Sequence, residues 1–154
     1  MKIVVLSGSP RKGANTDTMV EAFAETAREG GHTVEVVRVA SKKIAGCLGC
    51  QYCFAHEGTC VQKDDMADVI ESLKDAEMVV FASPIYWFDI TAQEKSAIDR
   101  LYAFGATLRA SRSPRRPFCS IATARASMMR RSLCTSQPAR TASGRTKALS
   151  RSAV

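Results

Sequence analysis

Four cysteines crowd one short stretch, Cys47, Cys50, Cys53 and Cys60. The first three recur at i, i+3, the spacing by which ferredoxin-type runs offer thiolates to a four-iron cluster, and the fourth follows unusually closely. A four-thiolate zinc site would draw on two separated CxxC pairs. Four free thiols, in a loop that also contains Gly46, Gly49 and Gly58, are the third arrangement this spacing allows. Spacing alone leaves the three open, and Cys119 and Cys134 stand in no motif.

Two further loops could do chemistry. Gly8-Ser9-Pro10-Arg11-Lys12-Gly13-Ala14-Asn15-Thr16 joins an apolar run to a helix start, where free backbone N–H groups and the helix dipole favour a phosphate. Ser9, Asn15 and Thr16 add side-chain donors and Arg11 a cation. Gly8 and Gly13 have Walker A spacing, but Ala14-Asn15 stand where that motif needs Lys and Ser/Thr, so a monophosphate suits the loop better than a triphosphate. The plain alternative is a Gly/Pro-rich turn with an Asn/Thr cap. In Ser83-Pro84-Ile85-Tyr86-Trp87-Phe88-Asp89-Ile90, three consecutive aromatics offer stacking surface to a flat ring system, or cap the core or a subunit interface. Two histidines, His32 and His56, are too few for a nucleophile–base arrangement.

The elements that must position these loops follow from periodicity. Lys2 to Leu6 is a continuous β-branched run, the pattern of a strand buried on both faces of a parallel sheet. Asn15-Thr16 can cap a helix with Met19, Val20, Phe23, Ala24 and Ala27 on its apolar face, stopped by Gly30-Gly31. Thr33 to Val39 reads as a second strand. Asp64-Asp65 open a helix with Met66, Val69, Ile70 and Leu73 inward. Met78 to Ala82 is a third strand, and Thr91-Ala92-Gln93-Glu94 is a capping-box pattern for a helix facing inward with Ala97, Ile98, Leu101 and Tyr102. Lys95, Asp99 and Arg100 are expected on its solvated face as an i, i+4 pair, with Arg100 able to meet a neighbouring subunit. Alternating strands and helices imply an α/β fold with a parallel sheet, whose ligands sit at the carboxyl ends of the strands where strand order reverses. The loops Ser7 to Thr16 and Ser83 to Ile90 occupy those ends.

Charge divides the 154 residues sharply. Residues 1–106 carry 11 Lys and Arg against 15 Asp and Glu, whereas residues 107–154 carry 11 Lys and Arg and no carboxylate. The second part holds only six Leu, Ile, Val or Phe residues, Leu108, Phe118, Ile121, Leu133, Leu149 and Val154, too few for a core of its own. No run is long enough for a membrane span, and Met1 to Leu6 reaches Ser7-Gly8 too soon for a secretory signal, so the expected location is the cytoplasm.

Gly8-Ser9-Pro10-Arg11 through Asn15-Thr16, the cysteine run ending in Cys60-Val61-Gln62-Lys63-Asp64-Asp65-Met66, Ser83-Pro84-Ile85-Tyr86-Trp87 and Lys95-Ser96-Ala97-Ile98-Asp99-Arg100 together resemble the NADPH-dependent FMN reductase superfamily. Within it, the cysteines are similar to those of the iron-sulfur flavoproteins. The resemblance covers residues 1 to about 106. It implies a flavodoxin-like, doubly wound parallel sheet, FMN with its phosphate held by Ser9, Arg11, Gly13, Asn15 and Thr16, and the flavin ring near Pro84, Ile85, Tyr86 and Trp87. It also implies oxidoreduction through flavin with NAD(P)H as electron donor, a small-molecule or protein redox partner, and a dimer or tetramer. Cys47, Cys50, Cys53 and Cys60 match the ligands of a 4Fe-4S cluster, although similar relatives bind FMN alone.

After residue 106 the pattern departs. The expectation is a sheet truncated to three strands, the third an unpaired edge, followed by a basic irregular tail from a reading frame shifted near Thr107. Taken at face value, that tail would bind polyanions such as nucleic acid, without interleaved aromatics on which bases could stack.

Overall fold

The structure is a computed structural model that describes residues 1–110 and 118–124, with side chains through Ala106. The elements run β1 (Lys2–Ser7), α1 (Asn15–Glu29), β2 (Thr33–Arg38), a 3-10 turn (Val39–Ser41), α2 (Tyr52–Ala55), α3 (Met66–Leu73), β3 (Met78–Pro84), α4 (Ala92–Ala110) and β4 (Phe118–Ala124). The strands form one parallel sheet in the order β2-β1-β3-β4. This is the flavodoxin-like order, whose switch point lies between β1 and β3.

The sequence of β1 explains its central place. Its β-branched residues suit a pleated surface packed on both sides. Val4 and Leu6 face one core with Val69 and Leu73 of α3 and Ala97 and Phe104 of α4. Ile3 and Val5 face the other with Val20 and Ala24 of α1. Fully burying each such side chain stabilises by about 1.5–3 kcal/mol. A one-residue slip of β1 would exchange the two faces wholesale, so its register is firmly specified.

The expectation that β3 ends the sheet is corrected by β4. Met78 to Pro84 pairs in register with Phe118 to Ala124, so the edge of β3 is covered. Main-chain bonding accounts for this: the N–H and C=O groups along β3 need partners, and a neighbouring strand satisfies them whatever its side chains. Only Phe118 and Ile121 in β4 are large and apolar, too sparse to register as a buried strand in composition. The rest of the basic segment, 111–117 and 125–154, lies outside the described residues. Among the described residues, no helix is long and apolar enough to cross a membrane.

The helices mostly take the predicted faces, with three corrections. In α1, Val20 and Ala24 are buried, but Met19 and Phe23 are exposed. In α4, Tyr102 is 55% exposed rather than inward. Lys95 and Asp99 do form the expected ion pair, whereas Arg100 leaves that solvated face and is 2% exposed. An i, i+4 pattern cannot reveal that a carboxylate distant in sequence draws the arginine inward. The short α2, unanticipated, places Cys53 in the interior.

Candidate functional site

At the switch point the ends of β1 and β3 are tied together by polar contacts. The Gly8 N–H donates to the Ala82 carbonyl at 2.9 Å. The Thr91 hydroxyl donates to the Gly8 carbonyl at 2.8 Å, and the Thr91 N–H donates to Ser83 Oγ at 3.0 Å. A side chain at position 8 would collide with Glu94 and Thr91, so glycine is the residue that lets the first loop lie against α4. These bonds bring both loops singled out in the sequence to one end of the sheet.

In the first loop, Ser9 and Thr16 are buried while Arg11 and Gly13 are exposed and Asn15 more so than Thr16. Ser9 Oγ donates to the Arg11 carbonyl at 3.1 Å. Gly13 sits at φ +67°, a conformation in which glycine is favoured. The residue capping α1 is Ala14, not Asn15, and it supplies no side-chain acceptor. The first-turn N–H groups of this 15-residue helix therefore have no side-chain cap, and Arg11 in the loop before it is exposed, features that suit a phosphate. Two further residues hold the loop, Asp17 and Arg38. The Gly13 N–H donates to Asp17 Oδ2 at 2.7 Å, and Arg38 Nη1 donates to Asp17 Oδ1 at 2.8 Å, clamping loop and helix to β2. Their separation of 21 residues hides the pair from sequence reading.

The second loop turns sharply. Tyr86 N–H donates to the Asp89 carbonyl at 2.7 Å and Asp89 N–H returns to the Tyr86 carbonyl at 3.1 Å. The two residues between, Trp87 and Phe88, sit at φ +46° and +70°, a turn for which Asn-Gly is preferred. Trp87 is 91% and Phe88 87% exposed, and their rings meet edge to face. Pro84 and Ile85 are half-buried and Tyr86 more open. Held at positive φ by the turn alone, the aromatic pair costs local backbone energy. Replacing it by Trp87→Asn with Phe88→Gly is expected to stabilise the chain by about 1–2 kcal/mol. Thermal unfolding checks this; a lower Tm would show that the rings contribute more contact energy than the turn loses.

Behind the switch point lies a group the sequence misplaced. Thr91 and Glu94 form half a capping box: the Glu94 N–H donates to Thr91 Oγ1 at 3.3 Å. The reciprocal bond is not made, because Ser83 takes the Thr91 N–H. The Glu94 carboxyl instead packs against Gly8, fully buried, with neither oxygen hydrogen-bonded. Burial pushes its pKa up to about 8.

The cysteines occupy the loop between the 3-10 turn and α3. Cys47 and Cys50 are exposed, Cys60 half-buried and Cys53 buried. All four line one cavity of about 20 Å³, together with Arg100. Among the described residues no three His, Cys, Asp or Glu side chains form a preformed metal cage. Four thiols are the donor type a metal cluster takes, and they share one cavity, but their sulfurs do not form a ready-made metal site. His56 is engaged elsewhere: its ring stacks on Tyr52 and its Nδ1 lies 2.9 Å from the Tyr52 carbonyl.

Comparisons with known proteins bear on the family and the fold. The family model described as NADPH-dependent FMN reductase matches residues 1–133, extending past the stretch on which the sequence resemblance rests. An iron-sulfur flavoprotein of Archaeoglobus fulgidus is 42% identical over 105 residues, covering 68% of this chain and 47% of the relative. One from Methanosarcina thermophila is 36% identical over 100 residues, covering 65% and 52% respectively. The chain thus spans about half the length of the curated relatives it matches. Among solved structures, an NAD(P)H:quinone oxidoreductase from Methanothermobacter marburgensis superposes with a TM-score of 0.57 at 23% identity, covering 68% of this chain and 54% of that one, which shows the shared fold.

Proposed function

Since the chain belongs to the NADPH-dependent FMN reductase family, we propose that it is an FMN-dependent oxidoreductase that takes electrons from NAD(P)H. The observation that carries this reading is the meeting, at the β1/β3 switch point, of an uncapped helix N-terminus with a loop rich in aromatics. FMN, when bound, supplies the hydride and single-electron chemistry.

The chain's own residues have the tasks of binding and orientation. The first-turn N–H groups of α1, with Ser9, Asn15 and Thr16 as side-chain donors and Arg11 as cation, hold the phosphate monoester. The Asp17–Arg38 clamp fixes Gly13 so that this N–H cradle keeps its shape without a ligand. Pro84, Ile85, Tyr86 and Trp87 give the ring system apolar cover and exclude water from one side. The exposed Trp87 and Phe88 also suit a dimer or tetramer in which a second subunit covers them. Flavin hydride transfer demands no protein acid or base, and no residue is assigned that role.

Cys47, Cys50, Cys53 and Cys60 would hold a 4Fe-4S cluster, passing single electrons between the flavin and a small-molecule or protein partner. The shared cavity and the names of the relatives support this assignment.

Anaerobic absorption spectra of the freshly purified full chain, followed by release of any chromophore, test both cofactors. Flavin bands with about one FMN per chain are expected, and Arg11→Ala or Thr16→Val should weaken FMN binding by about tenfold each, a loss of about 1.4 kcal/mol. A chain that remains colourless after incubation with FMN overturns the reading.

A further inference from the structure

Glu94 stands on the first turn of α4, yet it is fully buried and neither of its carboxyl oxygens has a hydrogen-bond partner. Its place is fixed against the start of the first loop. A Cβ added to Gly8 would overlap both Oε2 and Cβ of Glu94, so the acid and the loop backbone are in direct contact. Thr91 fastens the two together: its Oγ1 donates to the Gly8 carbonyl and accepts the Glu94 N–H. Gly8 is tied in turn to the end of β3 through the Ala82 carbonyl. The carboxyl therefore lies directly behind the loop that would hold a phosphate, shielded from water.

Among the described residues, the charges on the elements around Glu94 are solvated or engaged. Arg11 and Lys12 of the first loop are exposed, so solvent and salt screen them. Asp17, beyond Gly13, is held by Arg38. On α4, Lys95 and Asp99 pair with each other and Arg100 pairs with Asp64. Asp89 of the second loop is exposed and accepts the Ile90 N–H. β3 carries no ionisable side chain, and Lys2 of β1, at the far end of that strand, pairs with Glu35. Burial is accordingly the one cause of the raised Glu94 pKa, about 8.

We propose that Glu94 governs how tightly the first loop holds a phosphate monoester: the neutral carboxyl lets the loop bind it, and the ionised carboxylate repels it. This rests on the FMN reading given above. A carboxylate in the water-poor interior is weakly screened, so its repulsion of a doubly charged phosphate acts across the loop backbone. Linkage gives the sign. Binding that favours neutral Glu94 raises its pKa further, so affinity is full at pH 7 and falls as pH rises through about 8. By reciprocity, binding of the phosphate near that pH draws a proton onto Glu94.

The test uses the full chain, wild type and the Glu94→Gln and Glu94→Leu variants, with FMN as the probe at pH 7, 8 and 9 and constant ionic strength. Over that range the phosphate keeps nearly the same charge, its second pKa lying at about 6. Flavin fluorescence reads the dissociation constant, an indicator dye the protons taken up on binding, and far-UV circular dichroism the folded fraction. Wild type should bind FMN about five- to tenfold more weakly at pH 9 than at pH 7, and take up as much as about half a proton per FMN at pH 8. Both variants should show neither effect and should bind FMN more tightly than wild type at pH 9. A wild type whose affinity falls no more than that of Glu94→Gln overturns the proposal. So does a fall that tracks loss of helical signal, since the acid would then act through stability alone. Wild-type chain that binds no FMN at any of the three pH values removes the FMN reading itself, and the proposal with it.

Discussion

Replacing Glu94 by leucine is expected to stabilise the protein at pH 8, raising Tm by roughly 10 °C. The reason is a linkage argument. The buried carboxyl titrates at about 8 against an ordinary value of 4.5, so between those values the folded chain holds a proton that the unfolded chain has released. Where the native state binds more protons, stability falls as pH rises, here across the window from about 4.5 to about 8, by about 5 kcal/mol at most. Its neighbours at Gly8 and Thr91 are uncharged and offer nothing to offset this. Leucine removes the titration and fills the space with an apolar side chain suited to the interior between β1 and α4. Glu94→Gln should remove the slope but gain less, because its amide remains unpartnered. Chemical unfolding at pH 5.5, 7 and 8.5 checks both: wild type should lose stability across the series while both variants stay nearly level. A wild type with no fall between pH 5.5 and 8.5 would refute the assignment. The family fold survives this acid because many apolar contacts of the two cores outweigh one orphaned group.

Asp64→Ala is expected to destabilise the chain by about 3–5 kcal/mol, because it leaves the Arg100 charge buried without a counter-ion. Burial alone would raise the Asp64 pKa. The hydrogen bonds from Arg100, Ala45 and Met66, with the charge of Arg100, outweigh it and lower the pKa. A lowered carboxyl pKa contributes stability above its unfolded value of 3.8, and that contribution is lost as pH falls through the folded pKa. Wild type should therefore lose stability on the acid side through Asp64 and on the alkaline side through Glu94. Denaturant titrations of Asp64→Ala at neutral pH, with the acid limb of wild type beside it, read both effects. An Asp64→Ala variant as stable as wild type would mean that water reaches Arg100. The two carboxyls thus bracket the pH range of greatest stability, in opposite senses and from opposite physical causes.

The sequence by itself determined the strand and helix order through Ala106 apart from the short α2, the two loops at the carboxyl ends of β1 and β3, and the clustering of four thiols. These are local properties: β-branched runs, helical periodicity and turn residues act over a few neighbours, and a parallel α/β sheet converts their order directly into position. Tertiary structure decided what depends on partners far apart in the chain. Arg100 reads as a surface residue until Asp64 is placed beside it. Glu94 reads as a reciprocal cap until Ser83 takes the Thr91 N–H. Asp17 and Arg38, 21 residues apart, stand in no sequence pattern until the β1–β2 pairing brings them together, and β4 reads as part of a basic tail until the edge of β3 supplies its hydrogen bonds. Hydrophobic periodicity specifies which face turns inward, but the burial of a charge is settled by the long-range hydrogen bonds that the folded sheet alone brings within reach.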